Sequence, residues 1–139
     1  MGNIRISINK KYLILGIIHA FIGIGAVPAG FMLFSEPDGS LLGLRLDSLS
    51  GSPFKDFFIP GLFLFVVNGI FNLVNAVLCL IKYRFAPAFS LLLGSAMIIW
   101  LMVQFYFVGL THFLHPTYFV SGLIEIILAY LLLFPGRSK

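Results

Sequence analysis

The chain has 139 residues, 60% of them apolar and only 10% charged, with a mean hydropathy of +1.06. Soluble domains carry about 25% charge and about 45–50% apolar residues, and a chain this short cannot hide such an excess in one core; lipid is therefore the solvent for most of it. The net charge of +4 comes from basic residues at segment ends rather than from a patch, which excludes a nucleic-acid module, and the lone Cys79 excludes a disulfide scaffold or a paired-cysteine redox or zinc centre.

A transmembrane helix needs about 20 mostly apolar residues. Four segments qualify, approximately 12–34, 57–81, 85–110 and 118–134. They predict one all-α membrane domain, an antiparallel four-transmembrane-helix bundle, with a single structured outer loop at 35–56 between helices 1 and 2. The first segment has a basic start and a small-residue run, Ala26-Val27-Pro28-Ala29, as a cleaved signal peptide would. Its apolar run continues to Phe34, which favours a retained span. Gly16 and Gly23 flank His19 at three and four residues, giving a narrow face for close helix packing.

In the loop, Glu36-Pro37-Asp38-Gly39 and Gly51-Ser52-Pro53 read as turns. Leu42, Leu44 and Leu46 alternate with Gly43, Arg45 and Asp47, suggesting a short extended piece or an apolar edge resting on the bilayer. Glu36, Asp38, Asp47 and Asp56 fit no calcium-loop spacing, and Arg45 and Lys55 sit among them. A solvated loop is the simpler reading.

Helix two carries Asn68, Asn72 and Asn75 on one face, with Gly61 and Cys79 extending the stripe and Phe63, Val67, Ile70 and Val74 opposite. Such asparagines either bond neighbouring helices or line a binding site. Cys79 reads as a small packing residue. Helix three places Ser90 and Gln104 on one face, with Met97 between them and Trp100 alongside; Gln104 is nearer the outer side. Gly109 and residues 111–116 break the long apolar stretch, and Pro116 suits the start of helix four. His112 and His115 have metal-like spacing but no third ligand, so they read as interfacial polar contacts. Tyr12, Tyr106 and Tyr118 read as interfacial aromatic anchors.

Glu125, in helix four, is the only charged-type residue inside any span; Tyr118, Ser121, Gly122 and Ala129 share its face. An acid at mid-membrane costs about 2.5–3.5 kcal/mol on insertion scales, so it must find a partner or give up its charge. At about 1.5 Å rise per residue, His19 lies about 12 Å, and Asn72 and Glu125 about 14 Å, from the cytoplasmic ends of their helices. The three can meet at one level if their faces point inward.

Orientation follows from Lys and Arg. Arg5, Lys10, Lys11, Lys82, Arg84, Arg137 and Lys139 share one side, against Arg45 and Lys55 on the other, which predicts cytoplasmic termini. The acids of the loop lie opposite the basic side.

The run Pro37-Asp38-Gly39-Ser40, Leu42-Gly43-Leu44 and 52–61 (Ser-Pro-Phe-Lys-Asp-Phe-Phe-Ile-Pro-Gly) resembles a group of small, functionally uncharacterised four-span bacterial membrane proteins. The resemblance covers roughly residues 16–75 and, more loosely, the fourth span. It implies the fold and a bacterial inner (plasma) membrane setting, and carries no catalytic residues across. Claudin-like proteins share the span pattern, but this loop lacks their paired cysteines and tryptophan.

Three functions follow. In one, His19, Asn68, Asn72, Asn75 and Glu125 form a ligand-binding site that binds or passes a small ligand, cation or proton, with Gln104, Tyr118 and Ser121 as secondary polar residues. In another, the protein is a non-catalytic accessory or assembly subunit of a larger membrane complex. A third, an intramembrane enzyme on a lipid or quinone, would use Glu125 and His19 as acid and base. Small multidrug transporters also have four spans and one intramembrane glutamate, but theirs lies in the first span, and the charge bias here opposes dual-orientation pairing. The first reading is preferred. No catalytic residue, metal or cofactor is assigned; the expected partners are the lipid bilayer, a small ligand or ion, and a second copy or larger complex, with no nucleic acid.

Overall fold

The computed structural model describes residues 8–107 and 114–134. Helices account for most of them, and there is no strand among the described residues. We label the long helices α1 (Ile8–Ser35), α2 (Phe58–Leu80), α3 (Ala86–Phe107) and α4 (Leu114–Leu133). Each contains a stretch long and apolar enough to cross a membrane. Lys10 and Lys11 belong to α1, which starts before Tyr12 because no breaker separates the basic residues from the apolar run. Pro116 lies in the first turn of α4, where its missing N–H would have had no helical partner. Gly109, Thr111 and His112 lie outside the described residues.

Helix α1 is the organising element. Its buried positions Leu15, His19, Ile22, Ala26 and Leu33 recur at three-, four- and seven-residue spacing, so one stripe faces inward while Ile17, Phe21, Ile24 and Phe31 face out. Pro28 lies inside α1 without ending it, as membrane helices tolerate when neighbours satisfy the freed backbone. Glycines set how closely α1 meets α2. A Cβ on Gly30 would stand 2.5 Å from the Phe65 backbone nitrogen, and one on Gly61 2.5 Å from Leu33 Cβ. Gly16 and Gly23 likewise face Leu80 and Leu73. The stripe expected around His19 thus runs on to Gly30, and its partner helix is α2. Helices α3 and α4 approach in the same manner through Gly94 and Gly122, where a Cβ on Gly94 would lie 3.1 Å from the Gly122 carbonyl oxygen. The most extensive contacts are accordingly α1 with α2 and α3 with α4.

Helix α2 changes winding along its length. Phe58–Phe63 is α-helical, Leu64–Phe71 is π-helical, and Asn72–Leu80 returns to α. The i→i+5 bonding of a π stretch widens the turn and leaves backbone groups open to side chains. Here the Asn72 amide donates to the Val67 carbonyl at 3.3 Å.

The loop between α1 and α2 folds into two 3₁₀ turns, Ser40–Leu42 and Leu46–Leu49. This corrects the short extended piece expected from the alternating leucines. Gly39 (φ 81°) and Gly43 (φ 72°) turn the backbone through the left-handed region on both sides of Leu42, which no strand could follow. Asp38 accepts from the Ser40 N–H at 2.9 Å, fixing the first turn, and that bond holds its carboxyl below the usual aspartate range. The Phe57 N–H donates to the Pro37 carbonyl at 2.8 Å, closing the loop. Leu49 and Phe57 are buried against Ala26, Leu33 and Leu64, so the loop caps that end of the helices with apolar contacts. At the other end, Lys82 takes a left-handed conformation (φ 58°) between α2 and α3, and the Tyr83 N–H reaches back to the Leu78 carbonyl at 2.9 Å.

Candidate functional site: a buried polar cluster centred on His19

A layer of polar side chains lies between two apolar ones. Toward the loop end, Ile22, Met97 and Leu101 pack together; toward the opposite end, Leu15, Cys79, Ala86 and Leu128 do so. Between them sit His19, Asn72, Asn75, Ser90 and Glu125, all buried. Each long helix supplies at least one of them, so the layer exists only when all four assemble.

The hydrogen bonds fix the imidazole's tautomer. Because the Asn72 amide nitrogen points to the Val67 carbonyl, its Oδ1 faces His19, and Nδ1–H donates to it at 2.6 Å. Nε2 is then the acceptor, taking the Ser90 hydroxyl proton at 2.8 Å. The Asn75 amide donates to Ser90 Oγ at 2.9 Å and lies 3.1 Å from Nε2. It also approaches the Ala86 carbonyl at 3.4 Å. Cys79 Sγ is 3.7 Å from Ser90 Oγ.

Glu125 completes the layer from α4. Its Oε2 lies 3.1 Å from His19 Nδ1, off the line of the hydrogen bond that Nδ1 makes to Asn72. Both carboxylate oxygens are buried and neither makes a hydrogen bond. Gly94 leaves room for the carboxyl, since a Cβ there would stand 3.2 Å from Oε1. One proton on Nδ1 thus faces two acceptor oxygens on different helices, and a small rotation of the ring or the carboxyl exchanges one for the other.

Ser90, His19 and Glu125 stand in the order hydroxyl, imidazole, carboxyl, as in a nucleophile–base–acid relay, but the ring's Nδ1 bonds Asn72 rather than the carboxyl. The nucleophile's surroundings argue against acyl transfer. Ser90 Oγ is enclosed by His19, Asn75 and Cys79 and is fully buried, so no reacting atom has a place about 3 Å from it. The row consists of one hydrogen bond, Ser90 to His19, and one 3.1 Å approach, His19 to Glu125.

The other residues picked out by sequence are placed differently. Asn68 is buried one turn nearer the loop end, in the π-helical stretch, and both its amide atoms lack partners. Gln104 lines a separate apolar pocket of about 120 Å³ with Trp100, Phe63 and Leu49 near the loop; Trp100 there stacks on Phe63 with centroids 6.2 Å apart. Tyr118 packs its hydroxyl end against Gly25 and its ring edge-to-face with Phe21. Ser121 Oγ donates to the Thr117 carbonyl of its own helix at 2.9 Å. None of these four, Asn68, Gln104, Tyr118 and Ser121, hydrogen-bonds the cluster. Ser90 does, although sequence reasoning left it out of the site. Its spacing gave only a shared face with Gln104, and a serine in an apolar helix is too common to stand out. Among the described residues, no group of three or more His, Cys, Asp or Glu could hold a metal ion.

A cleft of about 300 Å³ opens between α2 and α3, walled by Phe71, Val74, Phe89 and Leu92 among others. Asn75 is the one polar residue lining it, and Asn75 Oδ1 is the atom of that side chain left without a partner. Through Asn75 the buried cluster therefore borders this cleft. No family model, curated protein or solved structure matches the chain.

Proposed function

We propose that the chain is a small multi-pass protein of the bacterial inner membrane, an antiparallel four-helix bundle with cytoplasmic termini, whose His19–Glu125 cluster binds a small ligand and takes up and releases a proton. The orientation is supported by Lys10, Lys11, Lys82 and Arg84, which gather at one set of helix ends, while four acids occupy the loop at the other. The bacterial setting rests on the resemblance of residues 37–61 to small bacterial four-span proteins.

The observation that carries the functional reading is the state of Glu125. Helix-packing glue satisfies its polar atoms, because an unpaired one in hydrocarbon gives up several kcal/mol. Glu125 is the only acid within a span, approaches the one histidine of α1 at 3.1 Å, and has no hydrogen bond to either of its oxygens. A group held that way is suited to taking up and releasing a proton. Asn72, Asn75 and Ser90 orient the imidazole so that Nδ1 faces the carboxyl and Nε2 faces the hydroxyl.

The test is infrared difference spectroscopy on the protein in liposomes during a pH step. A carboxyl C=O band that responds to the step and is absent in Glu125→Gln is the expected result. A Glu125 band indifferent to pH wherever the fold stays intact would overturn the reading and return the cluster to a structural role, as in an accessory subunit.

A further inference from the structure

The cleft between α2 and α3 gives the cluster a specific kind of visitor. We infer that it admits a neutral amphiphile from the lipid phase, an alkyl or isoprenoid chain ending in a hydroxyl, whose O–H donates to Asn75 Oδ1. This rests on the ligand-binding reading of the cluster and names the class of ligand.

Three observations lead there. The walls are apolar and face outward, Val74 at 53% and Leu92 at 67% exposure, so in a membrane the cleft opens sideways to lipid tails rather than to water. Its volume of about 300 Å³ is at the lower end of ligand pockets, roughly 300–1,000 Å³, room for a head group and the first few carbons. The decisive feature is the floor. Asn75 is buried (2% exposed), and its amide nitrogen is turned inward to Ser90 and His19. Its Oδ1 is an acceptor with nothing donating to it and is itself buried, so a hydroxyl reaches it as the side chains lining the cleft part.

An acceptor in hydrocarbon calls for a donor, and a neutral one, because an ion would have to cross the apolar walls unpaired. A hydroxyl meets both demands; an ester, ether or ketone offers no proton. The aromatic rings of Phe71 and Phe89 flank the entrance without adding polar atoms. A hydroxyl seated on Oδ1 is joined through the Asn75 amide to Ser90 Oγ and His19 Nε2. Binding in the cleft and the state of the imidazole are thereby coupled through one residue.

The experiment uses the full protein in liposomes with trace photoactivatable probes: a diazirine-bearing hexadecanol, its methyl ether, and the corresponding hydrocarbon. After illumination, peptide mapping should show alcohol adducts concentrated in residues 71–78 and 89–93, with the alcohol exceeding the ether by about threefold, the usual worth of one membrane hydrogen bond. Asn75→Leu should remove that preference. Leu92→Trp, a change at an exposed wall position, should block labelling without disturbing the buried layer, whereas Ile99→Trp on the exposed surface elsewhere of α3 should not. Equal labelling by alcohol and ether, or adducts spread evenly over the exposed helix faces, overturns the inference. The infrared response of Glu125, recorded without probe in the same liposomes, separates the two readings. A responsive carboxyl with no selective labelling overturns the lateral site alone, and an indifferent carboxyl overturns the proton-exchange reading beneath it.

Discussion

The two sides of α2 are built on opposite principles. Toward α1 it presents Gly61, Gly69 and Ala76, and the backbones come so close that a single added Cβ on Gly30 would strike the Phe65 nitrogen. Toward α3 it presents Asn75 and larger side chains, and a cleft of about 300 Å³ remains. Between lipid-soluble helices no hydrophobic force drives association, so small residues that permit close van der Waals contact do the holding. The tight side can hold the helices together, which leaves the side toward α3 free to carry an opening. Close packing and the cleft are thus assigned to different faces of one helix.

The sharpest way to break this comparison is on the tight side. Gly30→Val should give the largest loss of stability, about 3 kcal/mol, because the obstructing atoms are backbone and cannot turn away; denaturant-detergent unfolding followed by circular dichroism measures it. If the loss is small, the glycine face is not what holds the helices. On the polar side, His19→Ala strands the Asn72 oxygen and the Ser90 hydroxyl and should cost about 2 kcal/mol by the same assay. Combined with Glu125→Gln in a double-mutant cycle, it should show a coupling of about 0.6–1.7 kcal/mol, and a coupling of zero would mean that the 3.1 Å approach does not bind the two residues together. Ser90→Ala should cost less, about 0.6 kcal/mol, the average for a membrane hydrogen bond, while altering the infrared response of Glu125 through the imidazole.

The smallest effect lies in the loop, remote from both faces. The Ser40 N–H lowers the carboxyl pKa of Asp38 in the folded loop, so the bond's contribution is present above the ordinary aspartate range and lost as the pH falls through the lowered folded value. Hydrogen exchange at the Ser40 amide should therefore speed up at acid pH, relative to the intrinsic rate. Asp38→Asn keeps an acceptor at the same place and should remove the acid sensitivity while preserving protection; Asp38→Ala should remove the protection itself.

Much of this was readable in the chain. The four apolar stretches, the turns at Gly39 and Gly51, and the stripe of Asn68, Asn72 and Asn75 all rest on local rules of length, periodicity and glycine conformation. Depth arithmetic placed His19, Asn72 and Glu125 at a common level, and in the structure His19 Nδ1 lies 2.6 Å from Asn72 and 3.1 Å from Glu125. The leucine alternation in the loop misled, because positive-φ glycines on both sides of Leu42 outweigh a pattern only three leucines long.

What the sequence by itself determined is the set of helices and the rarity of the polar residues within them, since hydropathy and burial cost act residue by residue. Which polar atoms meet was decided by tertiary structure alone. The joining of Ser90 to His19 across 71 residues, the unpartnered oxygens of Glu125 and Asn75, and the bond from the Asn72 amide to the Val67 carbonyl all depend on how helices rotate, wind and approach one another. Those rotations are set by glycine contacts spread over four segments, and no window of sequence contains them.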